Sequence, residues 1–266
     1  MNPRLRPMVV TAAAAVLSVG LLLAAARWGW LGPDVGRGSG FCEQARDSWI
    51  RQPANTWSNV GFVAAGLAIA WAARRPEGRL PTYGWLTTVY AVVVVLLGPA
   101  SMAMHATQSS LGGRLDMLSM YLVAGFAFSY AVLRLVRGGI ATFAGVYAAA
   151  IVGCEVVENL GLRVPMVHTG GNFAFALLLV GAVAIEVVLM QRRESVRDNR
   201  WGYAAIGFLL LAFVIWNLAQ EGTAFCLPTS LLQGHAAWHA LDAVAAWCLH
   251  RYWLSERPLT QPLPAP

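Results

Sequence analysis

The sequence predicts an all-α integral membrane protein: a seven-helix transmembrane bundle preceded by one extra N-terminal hydrophobic helix. Three observations carry that expectation. The 266-residue chain is 58% hydrophobic and only 12% charged, with a mean hydropathy of +0.56, outside the range of an ordinary soluble domain. Eight apolar segments reach spanning length. All 19 basic residues are arginines, held in short loops and at segment ends, as topology determinants are. The net charge of +6 is not arranged as a basic stripe interleaved with aromatics, so no nucleic-acid partner is expected. High Ala, Gly and Arg without Lys points to a bacterial source.

The segments run near 8–26, 54–73, 84–104, 115–133, 140–157, 172–190, 201–219 and 235–253. Polar, Gly- and Pro-bearing stops separate them: "RRPEGRLP", "TQSSLGGR", "RLVRGG", "GLRVPMVHTGG", "QRRESVRDNR" and "GTAFCLPTS". Residues 1–30 read as a signal anchor or signal peptide. "NPRLRP" supplies the charged start and "AAA" at 24–26 a small-residue site, while the length of the apolar run favours an anchor. The core spans 31–254 with no second domain, and the Pro-rich tail 255–266 is expected to be disordered.

Arginine placement sets the orientation. One set of loops and termini holds 13 arginines and the opposite set 6, which puts the richer side in the cytoplasm. For a bacterial inner membrane, the other side is the periplasm. The polar residues then gather at the outer ends of the core helices. The second core helix ends "GPASMAMH", bringing His105 outward, and the third begins "RLDMLSM", bringing Asp116 to the same level. The last core helix starts outside with "GHAAWH", carrying His235 and His239. Glu155, Glu158 and Asn159 end the fourth, Asn217, Gln220 and Glu221 the sixth, and Asn55, Ser58 and Asn59 begin the first. A polar pocket in the outer half of the bundle accounts for all of them.

Residues four apart share a helix face, so His235 and His239 aim at one point. Ionisable groups inside membrane segments are costly and usually functional. The pair alone leaves metal ligation and interhelical hydrogen bonding in balance; His105 at matching depth tips it to metal. Three protein ligands with an open fourth position make a catalytic zinc site, where bound water has a pKa near about 7. A nearby carboxylate can then handle the proton. Asp116 suits that role better than Glu155 or Glu158, although spacing alone does not choose among them. His168, in an outer loop, and His250, at the cytoplasmic end, are assigned no site role. Cys42 and Cys226 both lie outside, where an oxidising environment favours a disulfide; Cys154 and Cys248 lie within helices.

The succession "FCE", "QPANTWSN", "SMAMH", "LDMLSM", "WN…FC" and "GHAAWH", in order from 41 to 239, resembles the alkaline ceramidases. These belong to the seven-helix membrane hydrolases that include the adiponectin-receptor-like proteins. The resemblance implies a zinc ion on His105, His235 and His239, with water cleaving the amide of ceramide to sphingosine and fatty acid. It also implies Asp116 as the proton-handling carboxylate, Ser101 as a hydrogen-bonding residue near the metal and the developing oxyanion, and a Cys42–Cys226 bridge. The pattern departs at a calcium site that animal members build around the first cysteine. Glu43 remains, but the flanking positions are Gly40, Ala45 and Gln52, so a tight calcium site is not expected.

The expected function is zinc-dependent intramembrane hydrolysis of the amide of ceramide or a related N-acyl lipid entering laterally from the membrane. The alternative is a receptor-like or transport protein with a structural zinc and no turnover. Haem binding is disfavoured, because His235 and His239 share one face and cannot be opposite axial ligands.

Overall fold

The computed structural model of the chain describes residues 4–74, 84–193 and 195–258. Arg75 and Arg79, counted in the topology, and the tail from 259 onward lie outside the described residues. The fold is mostly α-helical, and each predicted apolar segment is helical, the second in two pieces. In chain order these are α1 (Arg6–Arg27), α2 (Pro53–Ser58), α3 (Val60–Ala72), α4 (Gly84–Thr107), α5 (Ser110–Leu135), α6 (Ile140–Asn159), α7 (Gly170–Gln191), α8 (Asn199–Leu218) and α9 (Gly234–Leu254). Six of them, α1 and α4 to α8, are long and apolar enough to cross a membrane.

The second predicted segment is divided. α2 makes six residues of helix, starting at Pro53, and the chain turns at Asn59 before α3 continues. Proline suits the first helical turn because its missing N–H has no helical partner to lose. The next two amides, of Ala54 and Asn55, donate to the Glu43 carboxylate at 2.8 and 2.7 Å. That acid therefore caps α2 from outside its own segment.

Two short ribbons form, one within a stretch read as a stop and one joining a stop to residues 257–258, the start of the tail expected to be disordered. β1 (Arg163–Val164) pairs antiparallel with β2 (His168–Thr169) between α6 and α7, and β3 (Ser195–Val196) pairs antiparallel with β4 (Arg257–Pro258).

The chain forms two compact units. The first holds α1 to α4, the start of α5 as far as Asp116, α8 and α9; the second holds the rest of α5, α6, α7 and the ribbons. Within the first, α3 packs on α4 and α9, α1 on α4, and α8 on α9. Gly98 of α4 allows the close approach of α3: a Cβ there would lie 2.9 Å from the Asn59 carbonyl oxygen and from Val63 Cγ2. The apolar side chains of α1 that face away from protein, such as Val16 and Leu17 at 73% and 71% exposure, suit contact with lipid.

Two links fasten this unit. Cys42 and Cys226 form a disulfide across 184 residues, which in the chain-entropy view contributes up to about 5 kcal/mol. At the other end, Arg197 and Glu256 form an almost fully enclosed ion pair at 2.6 Å. Burial opposes the Arg197 charge, but the charge and hydrogen bond of Glu256 outweigh it and hold the guanidinium above its ordinary value. Glu256 belongs to the stretch read as the start of the tail.

Candidate metal centre

α4 and α9 bring three histidines together in the first unit. His105, from the last turn of α4, and His235 and His239, from the first turns of α9, are all buried, with ring nitrogens within 4.8 Å of one another. His105 Nε2 and His235 Nε2 lie 3.2 Å apart. Two nitrogens sharing a tetrahedral zinc at about 2.0–2.1 Å would stand about 3.3–3.4 Å apart, so the spacing fits that ion.

The outer nitrogens support the same reading. His105 Nδ1 donates to Gln52 Oε1 at 2.8 Å, which leaves Nε2 with its lone pair toward the cluster. His239 Nδ1 lies 2.8 Å from Ser58 Oγ. Asn59 Nδ2 lies 3.2 Å from the same nitrogen, and the Ser58 hydroxyl also reaches the Asn55 carbonyl at 3.0 Å, so polar groups of α2 and the turn after it hold this ring in place. Partners of this kind fix ring orientation at metal sites. His235 is held by stacking: the Phe41 ring lies parallel to it at 3.9 Å. The Cys42–Cys226 bridge and the Gln44 amide donating to the Pro228 carbonyl fix the segment that carries Phe41.

Ser101 lies one turn before His105 on α4, buried, and hydrogen-bonds Asp116 of α5, which also feels the charge of Arg37. The two predicted catalytic residues thus meet in the same unit as the histidines.

Several other polar residues expected near the pocket are engaged at helix ends instead. Asn217 and Gln220 donate to carbonyls of α8, at Phe213 and Trp216. In the second unit, Asn159 donates to the Glu155 carbonyl, and the Glu158 carboxylate accepts the Gly171 amide at the start of α7. His168 lies in β2. His250 is fully buried, 6.5 Å from the Tyr90 ring.

Ser58 lies in the polar pocket as expected, but its contact with His239, and the supporting roles of Gln52 and Phe41, were not assigned from the sequence. Each touches a histidine far away in the chain, and only the QPANTWSN motif hinted at the first two.

The donor set does not fit calcium at the position where the family resemblance would place it. Gln52 Nε2 donates to the carbonyls of Gly38 and Glu43 at 3.2 and 2.8 Å, and both oxygens of Glu43 are taken by α2 amides. Oxygens that calcium would need face N–H groups instead.

The family model described as Ceramidase matches residues 40–256, a stretch that includes all three histidines, Ser101, Asp116 and both bridged cysteines. No curated protein matches the chain. With most of its length matched, the chain belongs to the ceramidase family.

Proposed function

We propose that the protein is a zinc-dependent intramembrane hydrolase that cleaves the amide bond of ceramide or a related N-acyl lipid. The family supports hydrolysis of a lipid amide. The observation that carries the finer reading is the convergence of His105, His235 and His239, with Nδ1 of His105 and of His239 engaged by polar side chains outside the cluster.

Bound there, zinc would supply a Lewis acid that polarises the scissile carbonyl and makes water acidic enough to attack at neutral pH. The chain's own residues do the rest. Asp116 accepts one proton of the attacking water and returns it to the departing nitrogen, giving a carboxylic acid and an amine; transfer of the acid's own proton to the amine then leaves a carboxylate and an ammonium. Ser101 directs its single hydroxyl proton to Asp116 while that carboxylate is ionised. Once Asp116 takes up a proton, the Ser101 hydroxyl is released to donate to the carbonyl oxygen as negative charge gathers there. Gln52 and Ser58 keep two of the ligand rings oriented through both steps. The arginine distribution supports a site near the periplasmic face of a bacterial inner membrane, reached by lipid from the side.

The test is mass spectrometry of membrane lipids incubated with the purified protein, with and without a chelator, beside elemental analysis. Chelator-sensitive release of a fatty acid from an N-acyl lipid is expected. Full zinc occupancy with no lipid amide cleaved would favour the receptor-like reading instead.

A further inference from the structure

The family match begins at residue 40, so α1 and the loop that follows it precede the family core. That segment is nevertheless built into the catalytic unit. Leu22, Ala25 and Leu31 cluster with Met102 and Ala103 of α4, and Ala26 packs with Ile50 and Ala106. Met102, Ala103 and Ala106 are 0–2% exposed and are the immediate neighbours of Ser101 and His105. Removing α1 would uncover the back of the helix that carries both.

The loop continues the attachment. The Val35 and Arg37 amides donate to the Gln108 carbonyl at 3.1 and 3.0 Å. Asp34 forms a β-bridge with Ser109, and its carboxylate meets Arg51 at 2.7 Å. These bonds fix the backbone on either side of Gly36 and lay Arg37 over the first turn of α5. The Arg37 stem crosses Gly113 so closely that a Cβ on Gly113 would lie 2.7 Å from Arg37 Nε, and the arginine would have to leave this position to make room for one. Asp116 is three residues further along α5 and shares that face.

We propose that α1 and its loop are a retained, working part of the catalytic unit. They deliver Arg37 as the positioning residue that orients the Asp116 carboxylate toward the metal site. A cation fixed beside a carboxylate restrains the direction in which its oxygens point. The proposal rests on Asp116 as the proton carrier. Arg37 is exposed, so its replacement leaves the packing of α1 and the folding of the unit intact.

Three measurements test it. The intact mass of protein purified from membranes should include α1, and a mature chain beginning near residue 30 overturns the proposal. The carboxylate stretching band of Asp116, isolated by infrared subtraction of Asp116→Asn, should shift in Arg37→Ala and return toward its original frequency in Arg37→Lys. An unmoved band overturns the proposal with or without an assayable substrate.

With a cleaved lipid amide, Arg37→Ala should lower kcat about tenfold, less than the 100- to 10,000-fold typical of the general acid–base group itself. KM should stay within about twofold, metal content should not change, and Arg37→Lys should recover most of the rate. Combined with Asp116→Asn, Arg37→Ala should slow turnover no further. A wild-type kcat in Arg37→Ala overturns the proposal. Failure of the underlying reading looks different: Asp116→Asn itself would then turn over at the wild-type rate while the infrared band still responded to Arg37.

Discussion

α4 and α6 have equal mean hydropathy over their spanning windows, yet 72% of the α4 window is buried and 11% of the α6 window. α4 turns small residues, Gly98, Ala103 and Ala106, toward its neighbours and carries Ser101 and His105 between them. α6 exposes Val152 and Val156 at 61% and 55% and keeps its polar groups for helix ends. Hydropathy thus says that a helix crosses a bilayer but not which helix carries chemistry. In lipid the driving force for apolar burial is weak, and close packing and polar contacts decide which helices associate. Function should follow the buried polar side chains of the first unit and ignore those of α6.

The largest effect is expected at the ligands. His239→Ala should reduce zinc from about one per chain to near zero, because two protein ligands hold zinc poorly, and turnover should vanish with it. Elemental analysis of both proteins decides the matter; equal metal contents would remove His239 from the site. Asp116→Asn comes next. The swap is nearly isosteric, so zinc should stay while turnover falls about 100- to 10,000-fold. Fatty-acid release from a short-chain ceramide, or from whichever N-acyl lipid proves to be cleaved, is the readout.

Much of this was legible in the sequence, for a physical reason. Membrane helices are written locally, as runs of apolar residues of fixed length, so their positions needed no knowledge of contacts. The divided second segment was less visible: the turn at Asn59 falls where the polar stretch 52–59 gives way to the apolar run from Val60, with no glycine or proline at the turn itself to mark it. The histidines could be found because topology gives depth and the four-residue spacing of His235 and His239 gives a shared face. What surrounds them could not. Gln52 meets His105 across 53 residues and Ser58 meets His239 across 181, and neither residue type announces such a role. Depth also failed to separate Asp116 from Glu158: both lie at helix ends, and only the packing shows one bonded to Ser101 and the other capping α7.

Gln52→Ala tests the supporting layer and should act through the metal. It removes the acceptor of His105 Nδ1 and the two donor contacts to Gly38 and Glu43. Loss of a hydrogen-bond partner to a ligating histidine typically weakens metal affinity about 10- to 100-fold. Titration with a competing chelator should show that drop, with activity recovered by added zinc. Unchanged affinity would mean that His105 is oriented by packing against Phe41 and the other rings alone.

The smallest effect is expected on α6, and it sharpens the contrast most. Glu155 is half-buried near the end of that helix, and its backbone carbonyl, not its carboxylate, receives Asn159. Glu155→Gln keeps the side chain's size and leaves that carbonyl in place. Substitutions away from a buried network usually change energies by less than about 0.5 kcal/mol, or about twofold in a rate. Turnover should therefore stay within twofold of wild type, with zinc content unchanged. The same assay with Asp116→Asn beside it makes the result decisive. Two carboxylates near helix ends are compared, one bonded to a serine on the helix that carries His105 and one on a helix whose spanning window is 11% buried. If Glu155→Gln loses a hundredfold or more while Asp116→Asn does not, the proton carrier belongs to α6. The division of labour drawn from burial would then be reversed.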